Sequence, residues 1–234
     1  MSKQLYVVCE GSSECEFVKQ ILGPYIGERT AWNLILLPRV IENGRNAKKG
    51  IKYSGGLLKY QKAKDDILRC MSEGRPVTTM FDYYALPTDF PGYEEAKKQA
   101  LDINQVEFLE SCIKEDLSAC EPKYPKHWLL PYIQLHEFEA LFYADLQSLK
   151  SLYIEHAEEI DVLQAEVSGM KPEEINNSPE TAPSKRLLKH LPYQKGAEVV
   201  IPLKSIGIDR LMQECPHFSQ WVESILKMEK SMSG

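Results

Sequence analysis

Four short apolar runs stand out along the first 135 residues of the chain. Residues 4–9 and 77–81 are rich in β-formers and nearly all apolar, which is typical of strands covered on both faces. Residues 32–40 and 128–135 form the other two runs. Pro38 lies within one of these, and because proline cannot donate a ladder hydrogen bond, that strand is expected nearer an edge. The pattern predicts four strands.

Amphipathic stretches separate these runs. Apolar residues recur at helical spacing within 17–22, 57–71 and 93–117. The first of these stretches meets Gly23 and Pro24, so we expect the helix to stop there. Strands that alternate with helices predict an α/β fold, Rossmann-like in outline. Its central sheet would be mostly parallel, with about four strands flanked by helices and joined by right-handed crossovers.

From Phe138 onward the pattern predicts helices only. Residues 146–167 are amphipathic, and two final helices are expected around 208–212 and 218–228. We therefore expect an α/β domain over residues 1–145 and a helical C-terminal extension over 146–234, packed on the same core.

Composition narrows the classes of function. With 234 residues, 43% of them hydrophobic, the chain can bury one substantial core. A net charge of −6 repels phosphate, so nucleic acid would have to bind at a local basic patch, and a histone-like role is disfavoured. The apolar run near the amino-terminus is too short for a signal peptide or a membrane span, which predicts a soluble cytoplasmic protein. The six cysteines show no CxxC pair or zinc-type spacing.

Carboxylates follow three of the predicted strands. They are Glu10 and Glu14 after the first strand, Asp82 after the third, and Glu137 and Glu139 after the fourth. Because the carboxyl ends of parallel strands share one edge of the sheet, these side chains should converge. Such a cluster is costly unless a cation neutralises it, and oxygen ligands suit Mg²⁺ or Mn²⁺. Two such ions can clamp a phosphodiester for attack by water.

Each of these residues also has a simpler explanation. Taken alone, Glu14 is better explained as an acid that complements a helix dipole. His136, beside the last pair, is more often a core histidine or one that orients a carboxylate than a ligand. Clustering at three strand ends favours the metal site, and the sequence leaves open whether Glu137 or Glu139 binds the metal.

Two basic segments are candidates for binding phosphate. The first, residues 43–56, contains four cations, no acid and several glycines. Its cations are Arg45, Lys48, Lys49 and Lys52. The second places Ser184, Lys185 and Arg186 after Pro183 at a predicted helix start, which suits either a phosphate or an ordinary solvated helix end.

The segments EGSSE, FDYY and HEFEAL, placed after the first, third and fourth strands, resemble Toprim domains. More narrowly, the set CEGSSE, GGLLKY, MFDYYALPTDFPG, HEFEALFYAD, APSKRLL and CPHFSQW resembles an uncharacterised family of Toprim-like bacterial proteins, across most of the chain. This family is related to nucleases of the overcoming-lysogenization-defect type. The resemblance implies that Glu10 is an acid/base or metal-binding residue and that Asp82 binds metal. It also implies an ATPase partner protein, sometimes in defence against phage or plasmids.

One position departs from the Toprim pattern. The second aspartate of the DxD motif is replaced by Tyr84. Glu137, Glu139 or the weaker candidate Asp89 could supply the missing ligand. Tyr84 could instead hydrogen-bond a phosphate or stack on a base.

The leading hypothesis is a nuclease that uses Mg²⁺ or Mn²⁺, with Glu10 and Asp82 as catalytic residues and Glu14, Glu137 and Glu139 as further ligands. The alternative is a non-catalytic module that binds nucleic acid, a nucleotide or the ATPase. A third possibility, a small-molecule phosphatase with Asp82 as its nucleophile, lacks the usual second aspartate. Neither the choice between DNA and RNA nor the oligomeric state follows from the sequence.

Overall fold

The computed structural model describes residues 3–41, 57, 59–84, 86–98, 102–175, 180–194 and 199–231. Its strands are β1 (Gln4–Cys9), β2 (Ile35–Val40), β3 (Val77–Asp82), β4 (Leu129–Leu130) and β5 (Ile133–Gln134). All the strand pairs are parallel, in the order β2-β1-β3, and both β4 and β5 pair with the far side of β3. The predicted parallel sheet is therefore confirmed.

The last predicted strand is broken in two. Pro131 and Tyr132 separate β4 from β5, because proline has no amide hydrogen to donate to the ladder. The side chain of Thr79 fills the gap. Its hydroxyl donates to the Tyr132 carbonyl at 2.8 Å and accepts from the Tyr132 amide at 2.8 Å. Residues 129–134 therefore stay hydrogen-bonded to β3 across the break, and β5 runs in the same direction as β4.

Helices flank the sheet on both faces. They are α1 (Ser12–Phe17), α2 (Gly23–Arg29), α3 (Tyr60–Ser72), α4 (Tyr93–Ala96), α5 (Ile103–Cys120), α6 (Ala157–Glu166), α7 (Pro183–His190), α8 (Val200–Ile206), α9 (Ile208–Glu214) and α10 (Pro216–Ser231). Short 3₁₀ turns span Phe138–Ala144, Gln147–Ser151 and Ile154–His156. The predicted helix over 93–117 is thus two helices, and only the end of the stretch 146–167 is α-helical.

The expectation that the first helix stops at Gly23 and Pro24 is wrong. A π-helical turn, Val18–Leu22, joins α1 to α2 without a break. The amide of Gly23 donates to the carbonyl of Val18, five residues back, and Pro24 lies in the first turn of α2. A missing amide hydrogen is tolerated at that position, so the wider turn carries the helix past the proline.

Alternate residues of β1 belong to two different hydrophobic cores. Leu5, Val7 and Cys9 face a core that contains Phe17 of α1 and Phe218 of α10. Tyr6 and Val8 face the other core, built with α3 and α5. Both faces of the strand are covered, as its continuous apolar sequence predicts.

The last helix packs directly on the centre of the sheet. The indole nitrogen of Trp221 in α10 donates to the Thr78 hydroxyl at 2.8 Å. The Trp221 ring also stacks on Tyr132, with 4.2 Å between centroids and 10° between planes. The helical C-terminal region therefore completes one face of the sheet. In the described part of the chain, no helix is long and apolar enough to cross a membrane.

Candidate functional site

The predicted carboxylates follow strand ends on one edge of the sheet. Glu10 comes directly after β1, Asp82 is the last residue of β3, and Glu137 follows β5 by three residues. One carboxylate oxygen of Glu10, Oε2, accepts from the backbone amide of Asp82 at 3.1 Å. The backbone amide of Glu10 donates to the Met80 carbonyl at 3.1 Å. The ends of β1 and β3 are thus joined by both backbone and side chain.

The other oxygen of Glu10 reaches across the edge. Its Oε1 accepts from the backbone amide of Leu57 at 3.2 Å. Nearby, the amide of Ile41 donates to the carbonyl of Cys9 at 3.0 Å. Ile41 and Leu57 precede and follow the basic segment on its two sides, and both bond to this edge. The predicted phosphate-binding cations of that segment, Arg45, Lys48, Lys49 and Lys52, lie outside the described residues.

Glu14 caps helix α1 and also belongs to the carboxylate cluster. Its Oε2 accepts from the backbone amide of Gly11 at 3.0 Å, which satisfies an amide at the start of the helix. The residue is only 7% exposed. Burial, reinforced by the charges of Glu10 and Glu139, raises the pKa of Glu14 to about 7 against the two amide bonds that lower it. The capping explanation and the cluster explanation both hold for this residue.

The pKa of Asp82 is also raised by its place in the cluster. Burial, and then the charges of Glu14, Glu10 and Glu139, raise its pKa well above the usual range, and the Phe138 amide acts in the opposite direction. Its Oδ1 is inaccessible to water and has no hydrogen-bond partner among the described residues. A buried oxygen without a partner is costly in a folded protein and calls for a ligand.

Glu139 faces the cluster and is held by a tyrosine. It is 2% exposed, and its Oε1 accepts from the hydroxyl of Tyr193 at 3.1 Å. The Tyr193 ring packs edge-on against Phe142, with centroids 5.2 Å apart. Sequence reasoning did not identify Tyr193, because it lies 54 residues from its partner in a segment without a motif.

Glu137 is committed to another helix. Its two oxygens accept from the amide of Ser184 at 2.9 Å and from the hydroxyl of Ser184 at 3.0 Å. Ser184 lies in the first turn of α7, where such amides need acceptors. The structure therefore places Glu137 as a helix cap that accepts from both hydrogen-bond donors of Ser184. The hydrogen bonds thus distinguish Glu137 from Glu139, which the sequence alone could not do.

Of the two predicted cations of the second basic segment, Arg186 is paired within the chain, and so are its neighbours Lys189 and His190. Arg186 Nη1 lies 3.4 Å from Glu166 Oε2, and Lys189 Nζ lies 2.6 Å from Glu166 Oε1. His190 Nε2 is also 3.0 Å from that oxygen. Lys185 is exposed at the start of α7, and no ion pair to it is found among the described residues. Of this predicted group, Lys185 is the side chain best placed to meet a phosphate.

His136 turns the chain between β5 and the two glutamates. Its φ of 64° lies in the left-handed region, which is uncommon for a residue other than glycine. Its carbonyl accepts from the amide of Tyr84 at 2.7 Å, which fixes the loop after β3 to the loop after β5. Burial lowers the pKa of the His136 imidazole, although a hydrogen bond to the Glu173 carbonyl and the charge of Glu137 act to raise it.

Asp89, the weaker candidate ligand, accepts from the Tyr60 amide at 3.0 Å and so caps α3.

The donor set can be compared with what a divalent cation needs. Carboxylate oxygens suit Mg²⁺ and Mn²⁺, and Asp82 Oδ1 is a buried oxygen without a hydrogen-bond partner in the described part of the chain. Within the described ranges, however, no three His, Cys, Asp or Glu side chains already stand in a metal-holding arrangement. The oxygens of Glu10 and one oxygen of Glu14 accept backbone amides instead. The chemistry of these oxygens fits a hard cation.

Together, these features define an α/β protein with a parallel sheet, a helical C-terminal region and buried carboxylates at the carboxyl edge of the sheet. Residues 9–226 match the model of a family described as a domain of unknown function, DUF4276, and the chain belongs to that family. No curated protein and no solved structure matches the chain.

Proposed function

We propose that this protein is a metal-dependent phosphodiester hydrolase, a nuclease of Toprim type that uses Mg²⁺ or Mn²⁺. One observation carries the proposal. Asp82 lies at the carboxyl edge of the sheet among the charges of Glu10, Glu14 and Glu139, and its buried Oδ1 is an oxygen that no described group satisfies. The resemblance to Toprim domains supports the same conclusion, because it assigns Glu10 and Asp82 to the reaction.

Electrostatics explain why a cation fits this cluster. Burial and mutual repulsion raise the pKa values of Glu14 and Asp82, so the cluster retains protons when no cation is bound. A divalent cation can replace those protons and remove the repulsion. Once bound, such an ion lowers the pKa of a coordinated water and neutralises charge on a phosphodiester.

The chain's own residues then have distinct roles. Asp82 and Glu139 are the main ligands, and Glu14 assists from the start of α1. Glu10 is held in a fixed orientation by the amides of Leu57 and Asp82, and it acts as general base or as a further ligand. Glu137 contributes indirectly, because its bonds to Ser184 position α7 beside the cluster.

The substrate proposed for this site is nucleic acid. The chain carries a net charge of −6, so cations near the site must hold the phosphate backbone. Exposed Lys185 is one such group, and Tyr84 in the loop after β3 could stack on a base. The bonds of Ile41 and Leu57 to this edge also support a role for the basic segment between them. By resemblance, an ATPase partner and a role in phage or plasmid defence belong to the same proposal.

A cleavage assay tests the proposal. Supercoiled plasmid, single-stranded DNA and RNA are incubated with Mn²⁺ or Mg²⁺ and with wild type, Glu10→Ala, Asp82→Asn and the control Glu155→Ala. Glu155 is exposed and distant in sequence from the cluster. Cleavage by wild type and the control, lost in the other two variants, is the expected result. Equal cleavage by all four would show contamination or another site.

A second candidate function is a non-catalytic module that binds nucleic acid, a nucleotide or the ATPase. Tyr84 at the second DxD position favours it, as does the absence of a ready three-ligand group in the described ranges. Calorimetry separates the two functions. Tight Mn²⁺ binding that disappears in Glu10→Ala favours the hydrolase. Salt-sensitive binding of nucleic acid that needs no metal, with no cleavage in the presence of the ATPase, favours the module.

A further inference from the structure

A cavity lies at the opposite edge of the sheet from the carboxylates. We call it the Trp32 groove. Its volume is about 590 Å³, and Arg29, Ala31, Trp32, Leu226, Lys227 and Lys230 line it, together with two glutamates. Trp32 comes before β2, and its neighbour Lys3 comes before β1. Because a six-residue strand spans about 20 Å, this groove is remote from Glu10 and Asp82.

The structure holds Trp32 by its backbone and leaves its ring accessible. Trp32 is 56% exposed, which is unusual for the largest apolar residue. The Trp32 amide donates to Glu229 Oε1 at 2.6 Å, and Glu229 is only 3% exposed. Lys3 donates to the Glu229 carbonyl at 2.7 Å, and its ammonium lies 5.6 Å from the Trp32 ring centroid. A buried carboxylate is thus used to present an aromatic surface to solvent.

The charges around the ring favour an anion. Three of the lining residues are cations, and two are glutamates. Arg29 is already paired outside the groove, 3.8 Å from Glu28 and 3.9 Å from Asp209, so the two lysines are the cations that matter here. One of those glutamates, Glu229, is buried, and Glu223 pairs with Lys227 at 3.1 Å. Lys230 is exposed one turn beyond Lys227, with no carboxylate paired to it among the described residues. The open side of the groove therefore combines an aromatic face, an unpaired ammonium group and a second lysine held by a single exposed partner.

We propose that the Trp32 groove binds a nucleoside phosphate. The base stacks on the Trp32 ring, and the phosphate pairs with Lys230 and Lys227, where it competes with Glu223. Bases stack on aromatic side chains whatever their identity, and lysine is a common phosphate partner. The volume lies within the range of small-molecule sites. This site does not depend on the proposed hydrolase.

Calorimetry with adenosine 5′-monophosphate tests the proposal. The full chain is titrated at low salt in EDTA, so the carboxylate cluster has no part in the result. Saturable binding to wild type is expected. Trp32→Leu should weaken it at least tenfold, and Lys230→Glu should weaken it by a similar factor and reduce its salt dependence. The control Lys204→Glu changes an exposed lysine of α8 by the same charge and should bind like wild type.

Two analogues separate the contributions of base and phosphate. Ribose 5-phosphate lacks the base and adenosine lacks the phosphate, so each should bind at least tenfold more weakly than the nucleotide. No binding by wild type overturns the proposal. So does equal binding by wild type and both groove variants, or a loss in Lys204→Glu as large as that in Lys230→Glu. Both groove positions are exposed, so the variants are expected to fold, and circular dichroism checks this.

Discussion

The Glu10 carboxylate accepts a hydrogen bond from the backbone amide of Asp82, 72 residues further along the chain. Its second oxygen accepts from the amide of Leu57. One side chain therefore fixes the ends of two strands and the chain that leads into α3. The residue proposed as general base is at the same time a structural clamp, so its substitution has two separable effects.

The first prediction concerns stability. Glu10→Ala leaves two partly buried amides without acceptors, and we expect the free energy of unfolding to fall by about 1–3 kcal/mol. Glu10→Gln keeps one oxygen as an acceptor and should lose less. Urea denaturation followed by circular dichroism measures both. The control Glu155→Ala should unfold like wild type, and a loss as large as that of Glu10→Ala would contradict the clamp.

The second prediction separates the two glutamates after β5. The charge of Glu139 acts on Asp82, whereas both oxygens of Glu137 bond to Ser184. Glu139→Gln should therefore weaken Mn²⁺ binding at least tenfold. Glu137→Gln should retain most of the affinity but lower the free energy of unfolding by about 1 kcal/mol, because a helix cap is weakened. Calorimetric titration with Mn²⁺ and thermal unfolding give the two readouts. The reverse pattern would make Glu137 the ligand.

The third prediction concerns pH. The pKa of Glu14 is about 7 in the folded protein, whereas the ordinary pKa of a glutamate is 4.5. Between these values the unfolded chain has lost the proton and the folded chain keeps it, so the free energy of unfolding falls as pH rises from 4.5 to about 7. The loss is of the order of 3 kcal/mol. Denaturation midpoints measured across this window should fall more steeply for wild type than for Glu14→Gln.

Added Mn²⁺ provides the matching control. If the ion binds the ionised cluster, it should stabilise wild type more at pH 8 than at pH 5, and the effect should shrink in Glu14→Gln. If the denaturation midpoints of wild type and Glu14→Gln have the same dependence on pH, with and without Mn²⁺, Glu14 is not part of the cluster.

The fourth prediction concerns a buried histidine away from the site. His217 Nε2 lies 2.9 Å from Glu110 Oε1, where α10 meets α5. Burial acts to lower the pKa of His217, but the bond and charge of Glu110, helped by Glu173 and Glu107, raise it above 6.5 overall. The stability from this pair is fully present below pH 6.5 and is lost as pH rises through the raised pKa.

Nuclear magnetic resonance titration of the imidazole checks this. In Glu110→Gln burial should dominate, so the pKa of His217 should fall below its ordinary value. The exposed His127 serves as the internal reference. An unchanged His217 titration would show that Glu110 is not its partner in solution.

Local patterns were enough to predict the sheet and the edge where its acids meet. All but one of the residues of β1 are buried. Their continuous apolar run therefore identified a central strand without knowledge of its neighbours. Glu10 and Asp82 were located because they directly follow strands that are easy to recognise. Parallel pairing then brings strand ends together whatever the details of the loops.

Long-range partners were not predictable in this way. Ser184 lies 47 residues from Glu137, and no local signal shows that one caps the other. The same holds for Tyr193 and Glu139. Pro24 was misleading for a different reason, because a π turn just before it lets the helix continue. Trp32 was counted within a strand, and its exposure depends on the distant Glu229.

The bond between Trp221 and Thr78 joins residues 143 positions apart, and it bears on how the protein is made. During synthesis, β3 leaves the ribosome long before the helix that covers it. Until residue 221 emerges, one face of the central strand lacks its indole partner, and Tyr132 lacks the ring on which it stacks. The nascent chain therefore exposes apolar surface until α10 emerges, a state that favours assistance by chaperones.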